Sequence, residues 1–253
     1  MNIAELAANL KLSYIKNNYV EFAAKKKCSH EEFLLGLLEG EWENRVENGS
    51  KRRIKEAKFP YKKYLCDFKR NKYGDEFIPE FDELETLDFI DNNENIILIG
   101  TSGAGKTHYA IALGIAACMA GKSVYFSSVS NLITELKESL SNQQITNFRR
   151  KFERYSLVIL DELGYVSFDK SGAEMLFNLI SSRNDKGSII ITTNLTFDRW
   201  AEVFHDPTLT AAVVDRLTLR GHILDISREI GGRFEETMAW VESRKYKKIN
   251  NDV

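Results

Sequence analysis

Residues 95–107 read Asn-Ile-Ile-Leu-Ile-Gly-Thr-Ser-Gly-Ala-Gly-Lys-Thr, an apolar run that leads directly into a glycine-rich loop. The loop matches the pattern G-x-x-x-x-G-K-[ST] at every fixed position. Glycines let such a loop bend until its N–H groups surround a phosphate, and the following helix adds the positive end of its dipole. We therefore predict a nucleoside-triphosphate site in which Lys106 reaches the β- and γ-phosphates and Thr107 ligates Mg²⁺. The residues predicted to bind the nucleotide are Gly100, Thr101, Ser102, Gly103, Ala104, Gly105, Lys106, Thr107 and His108.

Short apolar runs alternate with helical segments on both sides of this loop. The predicted strands cover residues 95–99, 123–126, 157–160 and 188–192, and the predicted helices cover 106–120, 130–140, 172–183 and 210–219. Near-continuous β-branched runs suit strands that are buried on both faces, as they are in a parallel sheet. Strand–helix alternation indicates right-handed crossovers, so we predict an α/β fold with a doubly wound parallel sheet.

The run Leu157-Val158-Ile159-Leu160 ends in two carboxylates, Asp161 and Glu162. Sheets of this class bind their ligands at the carboxyl ends of their strands. We predict that Asp161 belongs to the Mg²⁺ shell and that Glu162 orients and polarises a water molecule for attack on the γ-phosphate. The alternative for such a pair is a helix cap.

A third strand ends at Asn194, and several arginines follow it. We predict that Asn194 projects between the loop and the carboxylates and holds the water or the γ-phosphate, although Asn is also a common turn residue. Phosphoryl transfer to water is accelerated by a positive charge at the transition state. Arg216 and Arg233 are the candidates to supply that charge. The residue pattern alone does not separate these two from Arg183, Arg199, Arg220 and Arg228.

The first sixty residues read as helical. Ser29 and Glu32 form a capping-box pattern, and apolar residues recur after it at helical spacing, which predicts a helix over residues 29–48. Asn48-Gly49-Ser50 is expected to end that helix, and a short basic helix is expected before Pro60. We predict two domains: a small all-α domain at 1–59 that binds DNA or a partner, and an ATPase domain at 60–253.

Composition excludes several classes of protein. The chain has 253 residues, 43% of them hydrophobic, which fits a globular core and not a disordered or collagen-like chain. No apolar run approaches the roughly 18 residues of a membrane-spanning helix. The N-terminus lacks the features of a secretory signal, so we expect a cytoplasmic protein without a membrane partner. Cys28, Cys66 and Cys118 are too scattered to predict a disulfide framework or a zinc site.

The net charge of −2 hides two charged segments. Residues 51–72 carry ten Lys or Arg against two acidic residues. Residues 75–94 carry nine acidic residues and no basic one, and we interpret this acidic segment as a linker. Basic clusters of this density are typical of nucleic-acid contacts, although many are only solvated helix faces.

Together, the phosphate loop, the Asp-Glu strand, the strand-terminal Asn and the downstream Arg resemble the AAA+ ATPases. Closer blocks resemble the IstB family, the helper ATPases of bacterial insertion sequences, which are similar to DnaC-type helicase loaders. These blocks are residues 33–45, Leu160-Asp161-Glu162-Leu163-Gly164-Tyr165, Gly172-Ala173-Glu174-Met175-Leu176-Phe177, residues 187–200, Phe204-His205-Asp206-Pro207 and Asp215-Arg216-Leu217. The resemblance covers nearly the whole chain.

The resemblance implies an ATP-dependent assembly on duplex DNA that recruits and stimulates an IstA-type transposase. Arg216 then completes the ATP site of a neighbouring subunit in a homo-oligomer. Arg233 falls at the second sensor arginine, but this chain reads Gly-Gly-Arg-Phe where members usually have Ser-Tyr-Arg. Initiator-type AAA+ proteins also carry a DNA-lining helix, which residues 130–144 resemble. The candidate DNA contacts, mostly to phosphates, are Lys51, Arg52, Arg53, Lys55, Lys137, Arg149 and Arg150.

Two other functions fit the same phosphate loop. A DnaC-like loader would act on a replicative helicase and single-stranded DNA and would share every ATP residue named above. The segment Leu34–Trp42 with the basic run favours the transposition helper. A small-molecule kinase is disfavoured, because Glu162, Asn194 and Arg216 suit activation of water and not of a substrate hydroxyl.

Overall fold

The structure is a computed structural model that describes residues 2–24 and 29–226. Cys28, Arg228 and Arg233 lie outside the described residues. The helices are α1 Ile3–Asn9, α2 Ser13–Ala23, α3 His30–Glu56, α4 Ile78–Glu85, α5 Asp88–Asp91, α6 Lys106–Met119, α7 Val129–Ser141, α8 Ile145–Glu153, α9 Lys170–Ser181, α10 Ala201–Phe204 and α11 Pro207–Thr218. The strands are β1 Asn95–Ile99, β2 Val124–Ser128, β3 Leu157–Leu163, β4 Ser188–Thr193 and β5 Gly221–Asp225. Short 3₁₀ turns cover Leu65–Asp67, Arg70–Lys72, Asp75–Phe77 and Phe197–Trp200.

The chain divides into two compact units, Met1–Arg53 and Ile54–Val253. The predicted domain boundary at Pro60 stays a prediction. In the described part of the chain we find no helix with the length and apolar character that crossing a bilayer requires.

The first unit is built from α1, α2 and α3. The ring of Tyr14 lies so close to Gly40 that a Cβ at this glycine would be 2.1 Å from the ring. Glu41 is buried on the same side of α3, where its carboxylate accepts a 2.8 Å hydrogen bond from the backbone N–H of Tyr14 and a 3.1 Å bond from Arg45. Leu34 and Trp42 are exposed. Helices α2 and α3 therefore pack through a glycine face, which leaves an apolar stripe of α3 open to solvent.

Helix α3 begins as predicted but does not end as predicted. Ser29 Oγ accepts from the N–H of Glu32, and Glu32 Oε2 accepts from the N–H of Ser29, so the capping box is confirmed. The predicted break at Asn48-Gly49-Ser50 is wrong, because α3 runs through it for 27 residues without interruption. The Asn48 amide donates to Asn44 and the Ser50 hydroxyl donates to the carbonyl of Val46. These side chains bond within the helix, and one mid-helix glycine costs only about 1 kcal/mol.

The acidic segment expected as a linker after Pro60 is folded. It contains α4 and α5, whose Phe81, Leu84, Phe89 and Ile90 are buried in the core. Arg70 pairs with two of its acidic side chains, which offsets part of the local negative charge.

The second unit carries a five-stranded parallel sheet in the order β2-β3-β4-β1-β5. Side chains alternate across the sheet, so Ile97 of β1 joins one hydrophobic cluster and Ile96 joins the cluster on the opposite face. The predicted α/β class, the four predicted strands and the four predicted helices are confirmed to within a few residues. Strand β5 and helix α8 were not predicted from the sequence.

Candidate functional site

The glycine-rich loop connects the carboxyl end of β1 to the first turn of α6. Gly103 and Gly105 have φ angles of +78° and +98°, in a region that side chains other than glycine rarely adopt. The Lys106 side chain is buried, and its Nζ donates to the carbonyls of Gly100 and Thr101 at 2.7 and 2.9 Å. Burial lowers the pKa of Lys106, and nearby carboxylates, Asp161 first, oppose that shift. The loop therefore presents backbone N–H groups and one ammonium at a helix N-terminus, the arrangement that suits a phosphate chain.

Aromatic side chains hold the loop from two sides, and the sequence pattern gave no sign of them. The Tyr73 hydroxyl donates to the carbonyl of Ala104 at 2.6 Å. The Tyr165 hydroxyl lies 3.1 Å from Ser102 Oγ. His108 packs edge-on against Phe68, and its buried Nε2 has no hydrogen-bond partner within the described residues. The loop is thus fixed by its surroundings as well as by its own glycines.

Thr107 and Asp161 meet next to the loop. Thr107 Oγ1 donates to Asp161 Oδ1 at 2.8 Å, and Asp161 is buried at the carboxyl end of β3. A hydroxyl and a carboxylate are hard oxygen ligands, and Mg²⁺ sites of this class use one or two protein ligands together with phosphates and water. The two residues fit the predicted metal.

A β-bulge shapes the end of β3. Leu160 pairs with Ile191 and Leu163 pairs with Thr193, so two residues of β3, Asp161 and Glu162, face the single residue between them on β4. Glu162 has φ = +63°, a left-handed conformation that costs of order 1–3 kcal/mol for a residue with a side chain. Bulges are over-represented next to active sites because they re-aim a side chain. Here the side chain of Glu162 is exposed, whereas that of Asp161 stays buried.

A cleft of about 620 Å³ opens beside these carboxylates. It is lined by Thr107, Asp161, Glu162 and the ring of Tyr61, among others. Burial raises the pKa of Tyr61, and the negative charges of Asp161 and Glu162 raise it further. Tyr61 is a further residue of the site that the sequence pattern did not indicate.

Strand β4 supplies two polar side chains at its carboxyl end. Thr192 Oγ1 donates to Asp161 Oδ1 at 2.6 Å and accepts from the N–H of Glu162 at 2.9 Å. Asn194, just past the strand, has a buried Oδ1 without a hydrogen-bond partner in the described chain. An unpaired buried amide oxygen is costly, so this atom suits a contact with a water molecule or a ligand. Thr192 was not predicted, because threonine also fits a strand for its shape alone.

Arg216 lies at the opposite end of the sheet from the glycine loop. It belongs to the last turn of α11, where its guanidinium lies 4.8 Å from the centroid of the Phe177 ring and donates to the carbonyl of Ala212. The carbonyl of the next residue, Leu217, accepts from the side chain of Asn95, the first residue of β1. The five residues of β1 span about 16 Å between this position and the glycine loop. Arg216 therefore does not reach the loop of its own chain.

Arg183 differs from the other arginines that the sequence left as candidates. Its side chain is 1% exposed and donates to the carbonyls of Phe152, Tyr155 and Ser188. Burial lowers the pKa of Arg183 to about 10. Its bonds tie the ends of α8 and α9 to the start of β4, which is a structural role.

The candidate DNA contacts on α3 lie near its C-terminal end. Lys51 and Lys55 are four residues apart and so share one face of the helix, and Lys51 pairs with Glu47 at 2.7 Å. Arg52 is exposed, and Arg53 donates to Ser50 Oγ at 3.2 Å. These positions form a dense basic end, but they do not all point the same way.

The remaining candidate DNA contacts lie on α7 and α8. Lys137 forms an ion pair with Asp169 at 2.9 Å. Arg149 and Arg150 are exposed on α8, whose buried side is made by Phe148 and Phe152. Of the two helices, α8 presents the more accessible basic face.

Comparison with protein families identifies relatives over most of the chain. Residues 5–233 match the family described as IstB-like ATP binding protein. A protein of insertion sequence IS21 from Pseudomonas aeruginosa, named as ATP-binding, is 35% identical over 95% of this chain and 91% of its own length. Its counterpart in insertion sequence IS232 of Bacillus thuringiensis is 33% identical over 88% of this chain and 91% of its own length.

Solved structures share the fold at lower identity. The AMPPCP-bound DnaA of Aquifex aeolicus superposes with a TM-score of 0.53 at 19% identity over 73% of this chain and 55% of that chain. DnaI superposes with a TM-score of 0.55 at 17% identity over 64% of this chain and 90% of that chain. The second unit therefore has the AAA+ P-loop fold. With the family match over residues 5–233, it follows that the chain belongs to the IstB-like ATP-binding proteins.

Proposed function

We propose that this protein is an ATP-dependent DNA-binding ATPase that assembles on duplex DNA and recruits a transposase to the target of an insertion sequence. The observation that carries the ATPase part is the meeting of Thr107, Asp161 and Glu162 beside the glycine loop. Asn194 follows Thr193, which pairs with the last residue of β1 before that loop. ATP hydrolysis then acts as a switch that dismantles the assembly.

The residues of the site divide the chemistry among them. When ATP binds, Lys106 exchanges its two loop carbonyls for the β- and γ-phosphates. A charge-assisted hydrogen bond from a buried ammonium to a phosphate is stronger than one to a neutral carbonyl. Thr107 and Asp161 would hold Mg²⁺, which would neutralise charge that develops between the β- and γ-phosphates. Glu162 orients the attacking water and accepts its proton, and the amide of Asn194 contacts that water or the γ-phosphate.

Arg216 supports an oligomer. A guanidinium that stabilises the transferred phosphoryl group is worth several powers of ten in rate when it is supplied by a second molecule. Arg216 lies beside the amino end of β1 and out of reach of its own loop, which supports a role in the site of a neighbouring subunit. We therefore propose a homo-oligomer with ATP at the interfaces between subunits.

Two observations support DNA and a transposase as partners: the identity of the relatives and the pattern of basic residues. The relatives are products of insertion sequences, whose movement requires a transposase acting on DNA. The basic end of α3 and the exposed Arg149 and Arg150 of α8 are proposed to contact phosphates. Such contacts give binding that tolerates many sequences and weakens steeply with added salt.

The test measures the ATPase rate and the sedimentation of the full chain with ATP and Mg²⁺, adding random duplex DNA, single-stranded DNA or neither. We expect assembly and a changed rate on duplex DNA. Glu162→Gln is the matched control: it should still assemble with ATP but should not hydrolyse it. No assembly on duplex DNA in any nucleotide state would contradict the proposal, and a response to single strands alone would favour a helicase loader.

A further inference from the structure

We propose that Thr192 is a positioning residue that holds the catalytic bulge of β3, so that hydrolysis depends on its hydroxyl. This inference rests on the proposed ATPase function, since it concerns how Asp161 and Glu162 are held for that chemistry. It goes beyond that function in naming a buried residue on a different strand, whose hydroxyl is bonded to two groups of β3.

The bulge creates a specific problem at the backbone of Glu162. Two residues of β3 face one residue of β4, so the regular ladder does not supply an acceptor for every N–H. The N–H of Glu162 is bonded instead to the side-chain oxygen of Thr192 at 2.9 Å. The hydroxyl therefore replaces the ladder carbonyl at the residue whose backbone carries φ = +63°.

The same hydroxyl orients the neighbouring carboxylate. With its acceptor side occupied by the Glu162 N–H, Thr192 Oγ1 donates its hydrogen to Asp161 Oδ1 at 2.6 Å. Thr107 Oγ1 donates to the same oxygen at 2.8 Å, and neither bond uses Oδ2. One oxygen of Asp161 is thus held from helix α6 and from strand β4, and the other is left for a metal ion.

Thr192 is buried, so its two hydrogen bonds are not easily replaced. Thr192 is 1% exposed, so water cannot take over either bond without movement of the strand. Valine has the same shape but neither donor nor acceptor. Thr192→Val would leave the Glu162 N–H unpaired and free the bulge to relax, whereas Thr192→Ser keeps both bonds. Small displacements of reacting groups cost up to about 100-fold in rate. We therefore expect Thr192→Val to lower kcat and to leave the affinity for nucleotide nearly unchanged.

The experiment compares wild type, Thr192→Val, Thr192→Ser and Ser188→Ala in the full chain. Ser188→Ala is the matched control, because Ser188 is also buried on β4 and donates to the carbonyl of Phe89 at 2.9 Å, far from the carboxylates. Three quantities are measured: the unfolding temperature, the Kd of a fluorescent ATP analogue, and kcat and KM for ATP with and without duplex DNA. Amide hydrogen exchange at Glu162 provides a readout that does not depend on hydrolysis.

For Thr192→Val we expect a kcat at least about tenfold below wild type, an analogue Kd within about threefold, and faster exchange at Glu162. Thr192→Ser should recover most of the kcat, and Ser188→Ala should lower the unfolding temperature without this loss. Wild-type kcat and exchange in Thr192→Val would overturn the inference and leave the ATPase proposal standing. If wild type itself hydrolyses no ATP, the ATPase proposal fails, and unchanged exchange at Glu162 in Thr192→Val would then overturn the inference separately.

Discussion

At the scale of single residues, the buried ammonium of Lys106 donates to two carbonyls of the loop and is proposed to contact the phosphates of ATP. We expect Lys106→Ala to weaken ATP binding by at least about 30-fold, because removing one member of a buried charge-assisted contact costs roughly 2–5 kcal/mol. Titration with a fluorescent ATP analogue measures this directly. Lys122→Ala is the matched control, since Lys122 carries the same charge but pairs with Asp91 on the surface. Wild-type affinity in Lys106→Ala would contradict the role given to the loop.

A residue pattern predicts only those parts of the site whose chemistry requires particular residue types at fixed positions. The glycine loop and the Asp161-Glu162 pair stand out because each needs particular residue types at fixed positions. Thr192, by contrast, continues a β-branched strand, and nothing in its neighbours indicates that its hydroxyl meets a bulge on β3. The contacts that position the carboxylates come from pairing between strands, which a single sequence does not encode as a local pattern.

At the scale of elements, two of the three glycines of α3, Gly40 and Gly49, have opposite surroundings. A Cβ at Gly40 would lie 2.1 Å from the Tyr14 ring, whereas at Gly49 the nearest atom is 3.2 Å away on the flexible side chain of Arg53. We expect Gly40→Ala to destabilise the first unit by about 1–3 kcal/mol through overpacking. Gly49→Ala should instead stabilise the helix by up to about 1 kcal/mol, because alanine favours it.

Hydrogen exchange of the α1 and α2 amides in the full chain reads out both variants. Faster exchange in Gly40→Ala together with slower or equal exchange in Gly49→Ala is the expected pair of results. Equal effects from the two substitutions would mean that the contact between Gly40 and Tyr14 does not set the stability of this unit.

The elements also explain which fold predictions failed. Asn48-Gly49-Ser50 has the composition of a turn, but Asn48 and Ser50 bond one helical turn back along α3, so the helix continues. The acidic segment reads as a linker by charge, yet Phe81 and Leu84 bury it against the sheet. Strand β5 opens with a glycine and a histidine and depends on pairing with β1. Local composition was outweighed in each case by contacts distant in sequence.

At the scale of the whole molecule, the parallel sheet separates the two halves of the proposed ATP site. The glycine loop, Asp161 and Glu162 lie at the carboxyl ends of the strands, and Arg216 lies beside the amino end of β1. In the proposed homo-oligomer, one chain therefore carries one half of each of two sites. Mutations in the two halves should behave differently when subunits are mixed.

Mixing two inactive variants tests that separation. Glu162→Gln and Arg216→Ala should each lose hydrolysis alone, and mixing them should restore it at interfaces where an intact Glu162 meets an intact Arg216. Random mixing in equal amounts gives roughly a quarter of the interfaces this composition. Mixing Lys106→Ala with Glu162→Gln is the control, because both changes lie in the same half and no interface regains a complete site. If mixed oligomers form and the first pair stays as inactive as the control, Arg216 does not act across a subunit interface.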